Sequence, residues 1–257
     1  MKNNLVIRDL NFSYEDKKIL NDISLSFCKG NFYSIIGPNG SGKSTFIKNI
    51  SKLIAPEHKS VFVDNQDIYS FNNKNLAKII SVIPQNTLID YDFTVFDIVM
   101  MGRSPYKRRF EDFNSEDEKI IEKYMKATNT WKLKDKPITE LSGGELQRVI
   151  AARALSQETD IILLDEPTSH LDIQYQIEFL NIFKNLKSNK VIIAVLHDLN
   201  LASIFSDQVI LINNGKVAAK GTPWEVINKE NIKNVYKLSV EIIENPISKC
   251  PYVIPIV

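Results

Sequence analysis

The stretch Gly37-Pro38-Asn39-Gly40-Ser41-Gly42-Lys43-Ser44-Thr45, entered from Ile35-Ile36, constrains this chain more than any other feature. It satisfies G-x-x-x-x-G-K-[ST] where a strand candidate gives way to a helix candidate. That order calls for an α/β architecture. A buried strand feeds a glycine loop whose backbone N–H groups turn inward, and the following helix N-terminus adds its dipole. Such a loop suits phosphate oxygens. Lys43 places a point charge on the β and γ phosphates of a nucleotide, and Ser44 offers a hydroxyl to Mg2+. The competing reading is an ordinary Gly-rich turn before a helix. Strand, loop and helix standing in order argue against it.

The 257 residues suffice for one large domain, and 44 % hydrophobic with 25 % charged residues is ordinary for a globular chain with a sizeable core. A formal net charge of +1 gives no reason to expect a nucleic-acid partner. Lys107-Arg108-Arg109 is a short basic run of the kind usually found on solvated loops. Cys28 and Cys250, far apart, read as thiols of a reduced, cytosolic chain. The N-terminus lacks a signal pattern. Apolar runs such as Ile161–Leu164 and Val191–Leu196 have strand length, far short of the roughly 20 residues of a membrane span.

Strand candidates fall at 5–10, 23–27, 32–36, 60–64, 80–83, 160–164, 191–196 and 208–213. Runs apolar at every position, IILLD and VIIAVL, fit strands buried on both faces of a largely parallel sheet. Helices are expected after Gly42, before Gly102, over about 139–155 and over 173–186. In the last, Ile173, Ile177, Leu180 and Phe183 recur at helical spacing, so that face is expected in the core. The first 35 residues read as antiparallel strands. Residues 86–140 read as a helical lobe inserted into the α/β core, and the tail from about 222 as two short helices with an added strand pair.

Asp165 and Glu166 end the apolar run Ile161–Leu164. Asp165 at the strand tip is placed to hold Mg2+, while Glu166, one step on and pointing elsewhere, suits polarising an attacking water. Taken alone, the pair reads equally well as a solvated acidic turn. His197, just after VIIAVL, and Gln85, just after SVIP, stand at strand ends, the edge of a parallel sheet where ligands sit. His197 is read as a γ-phosphate contact and Gln85 as a partner of the Mg2+ or the water.

Leu141-Ser142-Gly143-Gly144-Glu145 completes the set: Ser142 and two glycines at a helix start make a second anion site, although Ser with Glu three residues on also reads as a capping box. With this motif the chain resembles the nucleotide-binding subunit of an ABC transporter over essentially its whole length. The resemblance implies a P-loop NTPase core with a mainly parallel sheet (1–85 and 157–221), an N-terminal antiparallel β subdomain, an inserted helical subdomain carrying the signature (86–156) and a C-terminal extension (222–257), all as one ATPase domain. It implies ATP and Mg2+ as cofactors. It also implies a head-to-tail homodimer in which Ser142, Gly143 and Gly144 of one subunit close on the nucleotide of the other, with Ser169-His170-Leu171-Asp172 crossing between the sites. Tyr14 matches the position that stacks on adenine. Glu145 stands where many members have Gln, a departure expected to matter little.

Thr94–Val99, Met101–Tyr106, Thr168–Ile173 and His197–Ala202 resemble the importer branch for iron–siderophores, haem and cobalamin. That branch implies a peripheral subunit on the cytoplasmic face of the membrane, an integral membrane permease and, through it, an extracytoplasmic substrate-binding protein. The segment from Gln85 to about Tyr106, with Phe93, Phe96, Met100, Met101 and Tyr106, is expected to form the permease docking groove. Those side chains otherwise form the small core of the lobe. A soluble ABC-type ATPase, an exporter subunit and a small-molecule kinase are the competing readings. The signature and the helical insertion argue against the kinase.

Overall fold

The computed structural model describes residues 3–85, 92–108, 111–169 and 171–256. His170 of the crossing loop, Arg109 of the basic run and residues 86–91 of the docking segment lie outside them. In chain order the elements are β1 (Asn3–Tyr14), β2 (Lys17–Cys28), β3 (Asn31–Ile36), α1 (Lys43–Ile50), β4 (Val61–Val63), β5 (Gln66–Asp67), α2 (Asn73–Leu76), β6 (Ile80–Ile83), α3 (Val95–Met100), α4 (Ser115–Ala127), α5 (Gly143–Ser156) and β7 (Ile161–Asp165). They continue with α6 (Ile173–Leu186), β8 (Val191–Val195), α7 (Leu199–Phe205), β9 (Gln208–Asn213), β10 (Lys216–Gly221), α8 (Pro223–Val226), α9 (Lys229–Tyr236), β11 (Val240–Glu244) and β12 (Pro251–Pro255). The fold is mixed α/β, with a mainly parallel sheet and a separate antiparallel one. Two compact units divide it, Met1–Ser70 with Lys187–Val257, and Phe71–Leu186.

In the first unit β1 and β2 form an antiparallel pair, as their alternation predicts, and β4 and β5 extend it in the order β2-β1-β4-β5. Leu5, Ile7, Leu10 and Phe12 of β1 all point inward. The spacing between Ile7 and Leu10 breaks strict alternation. An irregularity in the pairing there, with Asp9 at φ 47°, restores the phase. A second layer runs β10-β9-β3-β8, with β3 parallel to both β8 and β9. β8 is buried at all five positions, as a strand covered on both faces requires.

Strand β10 was not among the sequence candidates. Its exposure alternates along Lys216-Val-Ala-Ala-Lys-Gly221 without a bulky apolar run, as befits an edge strand. The turn before it did carry a signal, since Asn214-Gly215 takes positive φ at both residues and closes a two-residue hairpin. β11 and β12 pair antiparallel as the expected added strand pair. Pro251 and Val253 lie on the buried face, where Ser203 Oγ of α7 donates to the Pro251 carbonyl and the Asn200 side chain pairs with the Val253 backbone.

In the second unit β6 and β7 pair in parallel, Ile80 opposite Ile161 through Ile83 opposite Leu164. Helices α3 and α4 pack on α5. Thr94 and Asp97 form a capping box at α3, and Asn114 with Asp117 forms another at α4. Arg103 knits these elements: its Nε donates to Asp117 Oδ1 at 3.1 Å and Nη1 to the Ser156 carbonyl at 2.8 Å. Lys107 pairs with the other Asp117 oxygen. Burial opposes the Asp117 charge, but hydrogen bonds from Lys107, the Asn114 backbone and Arg103 outweigh it and hold the carboxyl below the usual range.

The expected core stripe of α6 is only half correct. Leu180 and Phe183 are buried, with Phe179 beside them, but Ile173 is 72 % and Ile177 41 % exposed. Periodicity identifies residues that share a helix face; it does not say over which turns another element covers that face. Over the first turns of α6 the described chain leaves the stripe open.

Candidate functional site

The phosphate loop grows out of β3, whose Phe32–Ile36 are all buried. Gly37 sits where a side chain has no room, because an added Cβ would come within 2.1 Å of the Ile212 carbonyl oxygen. Gly42 takes φ 107° and starts α1, and a Cβ there would press against Leu20 at 2.9 Å. Ser41 is pinned from both directions: its N–H donates to the Pro38 carbonyl at 3.2 Å, and its carbonyl accepts from Gly215 N–H at 2.9 Å. The β9–β10 hairpin missed in the sequence therefore backs the loop. Asn39 and Gly40 are exposed at the tip, and Ser44 and Thr45 are half-buried in the first turn of α1.

Among the described residues no side chain caps α1, and its first turn carries no acidic residue. No side-chain oxygen or carboxylate therefore competes there with an anionic ligand, the arrangement expected of an anion site. Lys43 is buried, and its ammonium arches back to donate to the Gly37 carbonyl at 2.9 Å and the Pro38 carbonyl at 3.0 Å. The positive charge is held over the mouth of the loop. Tyr236, at the end of α9, adds a contact that nothing local in the sequence announces: its hydroxyl interacts with the Gly37 backbone. Burial raises its pKa, and the bond to Gly37 partly offsets that.

In the same unit, Tyr14 ends β1 with 45 % of its surface exposed and its ring edge-on to Phe12 at 4.8 Å. It is not a core residue, which leaves its face available for stacking. His197 is exposed two residues beyond β8, and Asp198 next to it caps α7 by accepting from Asn200 N–H and Leu201 N–H.

The second unit holds the carboxylates. Asp165 is buried at the tip of β7, 7 % exposed. Glu166 follows with φ 49°, a left-handed conformation unusual outside glycine, which turns its side chain away from the strand direction. Gln85 Nε2 donates to Glu166 Oε2 at 2.6 Å. The two residues read separately in the sequence, 81 positions apart, are in direct contact. That bond uses the amide nitrogen of Gln85 and leaves its amide oxygen as a donor atom for a cation.

Also in this unit, Ser142 and Gly143 are exposed at the start of α5. Of the two sequence readings of Ser142, the capping box is formed. Ser142 N–H and Oγ–H each donate to Glu145 Oε2 at 2.8 Å, and Glu145 N–H returns a bond to Ser142 Oγ at 3.3 Å. Those bonds, the backbone one foremost, hold the Glu145 carboxyl below its ordinary range. Gly144 faces the Tyr175 ring of α6, and the Arg148 guanidinium lies 5.3 Å from the centre of that ring. Glu145 therefore occupies both donors of Ser142, its backbone N–H and its hydroxyl.

Of the expected docking side chains, Phe93 and Met101 are exposed, 39 % and 40 %, while Phe96 and Met100 are half-buried. Tyr106 is committed to the lobe itself: its hydroxyl donates to the Gln157 carbonyl at 2.9 Å, and Arg103 stacks 4.1 Å from the ring centre.

The family model described as ABC transporter matches residues 20–169. The chain is 38 % identical over 249 residues to the ferric enterobactin transport ATP-binding protein FepC of Escherichia coli (strain K12), covering 96 % of this chain and 92 % of that one. It is 36 % identical over 251 residues to the iron(3+)-hydroxamate import ATP-binding protein FhuC of Bacillus subtilis (strain 168), covering 97 % and 93 %. Among solved structures it is similar to the dimeric MJ0796, a bacterial ABC transporter cassette, with a TM-score of 0.74 and 28 % identity over 85 % of this chain and 98 % of that one.

Proposed function

This chain belongs to the ABC transporter family of ATP-binding proteins, and on that premise we propose that its ATPase activity powers import of an iron–siderophore, haem or cobalamin-type compound through a membrane permease. The observation that carries the ATPase reading is the uncapped N-terminus of α1 with the Lys43 ammonium arched over the glycine loop. The names of the similar transport subunits carry the import reading.

In this proposal Gly37–Thr45 wraps the phosphates of ATP, Lys43 neutralises the β and γ charge, and Tyr14 stacks on adenine. Ser44 Oγ, the Gln85 amide oxygen and the Asp165 carboxylate are hard oxygen donors, the set that suits Mg2+. When bound, that ion would neutralise charge on the β and γ oxygens. Glu166 orients and deprotonates the attacking water, and His197 contacts the γ-phosphate. The Gln85–Glu166 bond supports a resting role for Gln85 as well, parking the carboxylate until the docking segment that begins at Gln85 moves.

Ser142, Gly143 and Gly144 of a second, head-to-tail copy complete each nucleotide site. A mixed dimer of Ser142→Arg with Lys43→Ala tests this. One composite site would then collect both lesions and the other none, so one nucleotide per dimer is expected to be trapped on closure. Trapping of none would overturn the trans arrangement.

The permease grips the segment following Gln85, and a substrate-binding protein delivers cargo on the far side. The subunit works peripherally at the cytoplasmic face; among the described residues no helix is long and apolar enough to cross a membrane. Met101→Asp tests the docking. Because Met101 is exposed and remote in sequence from the cradle, the variant is expected to keep its circular dichroism and ATP affinity while permease pull-down and transport fall by about tenfold or more, the scale of a buried apolar anchor. A folded variant that assembles and transports normally would remove Met101 from the interface.

A further inference from the structure

Beyond the docking segment, the same lobe carries a basic, aromatic patch that the proposed nucleotide chemistry does not use. Helix α4 ends at Ala127 with Thr128 as its C-cap, and Asn129 turns the chain at φ 56°. Thr128 and Thr130 are buried and bond to each other at 3.0 Å and back to the Met125 carbonyl, fixing the turn from below. That anchoring holds Trp131 half-exposed beside a cavity of about 410 Å³ lined by Lys126, Asn129, Trp131 and Lys132. The ammonium groups of Lys134 and Lys126 stand 5.0 Å and 5.8 Å from the centre of the indole. Lys126 shares its charge with Glu122 at 2.5 Å, but among the described residues no carboxylate pairs with Lys132 or Lys134. Lys126, Lys132 and Lys134 stand there against Glu122 and Asp135, while Lys136 faces Glu145.

The position of this patch is set by hydrogen bonds. Phe96 N–H donates to the Lys134 carbonyl at 2.9 Å, Val95 N–H to the Lys136 carbonyl at 3.0 Å, and Ile138 N–H to the Phe93 carbonyl at 2.9 Å. The loop bearing Trp131 is thus laced to the start of the docking segment, so whatever brings Phe93 and Met101 to a permease carries the Trp131 loop with them. An indole flanked by lysines on flexible apolar stems, Lys134 with no carboxylate partner among the described residues and Lys126 shared with Glu122, is a combination suited to a charged lipid interface.

We infer that the Trp131 patch, with Lys126, Lys132 and Lys134, binds the anionic phospholipid headgroups surrounding the permease. The inference rests on the proposed docking of residues 92–106. It supplies a second, electrostatic attachment that orients the subunit on the membrane and weakens as salt rises.

The full chain contains two tryptophans, so Trp224→Phe leaves Trp131 as sole reporter. Vesicles of phosphatidylglycerol mixed with phosphatidylcholine are expected to shift Trp131 emission to the blue and to co-sediment the protein. Pure phosphatidylcholine vesicles and millimolar inorganic phosphate are expected to do neither. Lys132→Glu with Lys134→Glu, both outside the nucleotide machinery, should weaken vesicle binding about tenfold or more, as expected when surface lysine charges are lost and reversed, with ATP hydrolysis and melting temperature unchanged. Equal binding to pure phosphatidylcholine, an emission shift with phosphate alone, or undiminished vesicle binding by the folded double variant would each overturn the inference. Pull-down of the detergent-solubilised permease by the double variant separates the two readings. Retained pull-down with no vesicle binding by the Trp224→Phe protein removes the lipid patch and leaves the docking; vesicle binding as expected beside a failed Met101→Asp experiment does the reverse.

Discussion

Glu166→Gln is expected to bind ATP with wild-type affinity and to turn over more slowly by roughly 10²–10⁴-fold, the range a positioned general base contributes. The substitution is gentle. Gln85 Nε2 donates to Glu166 Oε2, and an amide oxygen at 166 accepts the same bond, so the local geometry and the positive φ at this position are retained. What disappears is the negative charge that, in the proposed mechanism, orients and deprotonates water. In the proposed cycle hydrolysis reopens the closed pair of subunits, so the variant should run as a stable dimer on size-exclusion chromatography with Mg-ATP, and as wild type does without it. Hydrolysis within about tenfold of wild type would remove Glu166 from the general-base role.

Lys43→Ala is expected to fail one step earlier. Lys43 is buried, and its ammonium bridges the Gly37 and Pro38 carbonyls over the loop that receives the phosphates. Hydrogen bonds from a charged donor are worth about 1.5–3 kcal/mol each, so losing those made to the β and γ phosphates should weaken ATP binding by roughly 100-fold or more. The loss is in ground-state binding, so no excess of the closed dimer should appear even with Glu166→Gln in the same chain. A titration of ATP against the folded variant, with its melting temperature recorded, decides it. Affinity within a few-fold of wild type would mean that the loop amides alone hold the phosphates.

The two experiments concern residues that the sequence singles out for one reason: each stands in a short run of consecutive residues whose pattern can be read locally. A glycine loop between a strand and a helix writes its chemistry in nine consecutive letters, and an acidic pair at the end of an apolar strand does so in seven. Ser142 and Glu145 are similar, since a capping box spans a single helical turn. The residues read as the signature form the cap, and only the hydrogen bonds reveal that Glu145 holds both donors of Ser142.

Other features had no local cause. The contact of Gln85 with Glu166 depends on parallel pairing of β6 with β7, which brings together chain segments separated by the whole helical lobe. Tyr236 meets Gly37 from the far end of the chain. The exposure of Ile173 and Ile177, against the buried Leu180 and Phe183 of the same helix, follows from where a neighbour stops covering α6.

By itself, then, the sequence determined the α/β class, the order of the phosphate loop and carboxylates, and the family, because glycine freedom, charge and strand burial act at fixed short spacings. The tertiary structure alone decided that the β9–β10 hairpin backs the cradle, that Gln85 restrains Glu166, and which apolar side chains of the docking segment remain uncovered. Those outcomes arise from packing between distant segments, where burial of a surface depends on what arrives to cover it and not on the residues that compose it.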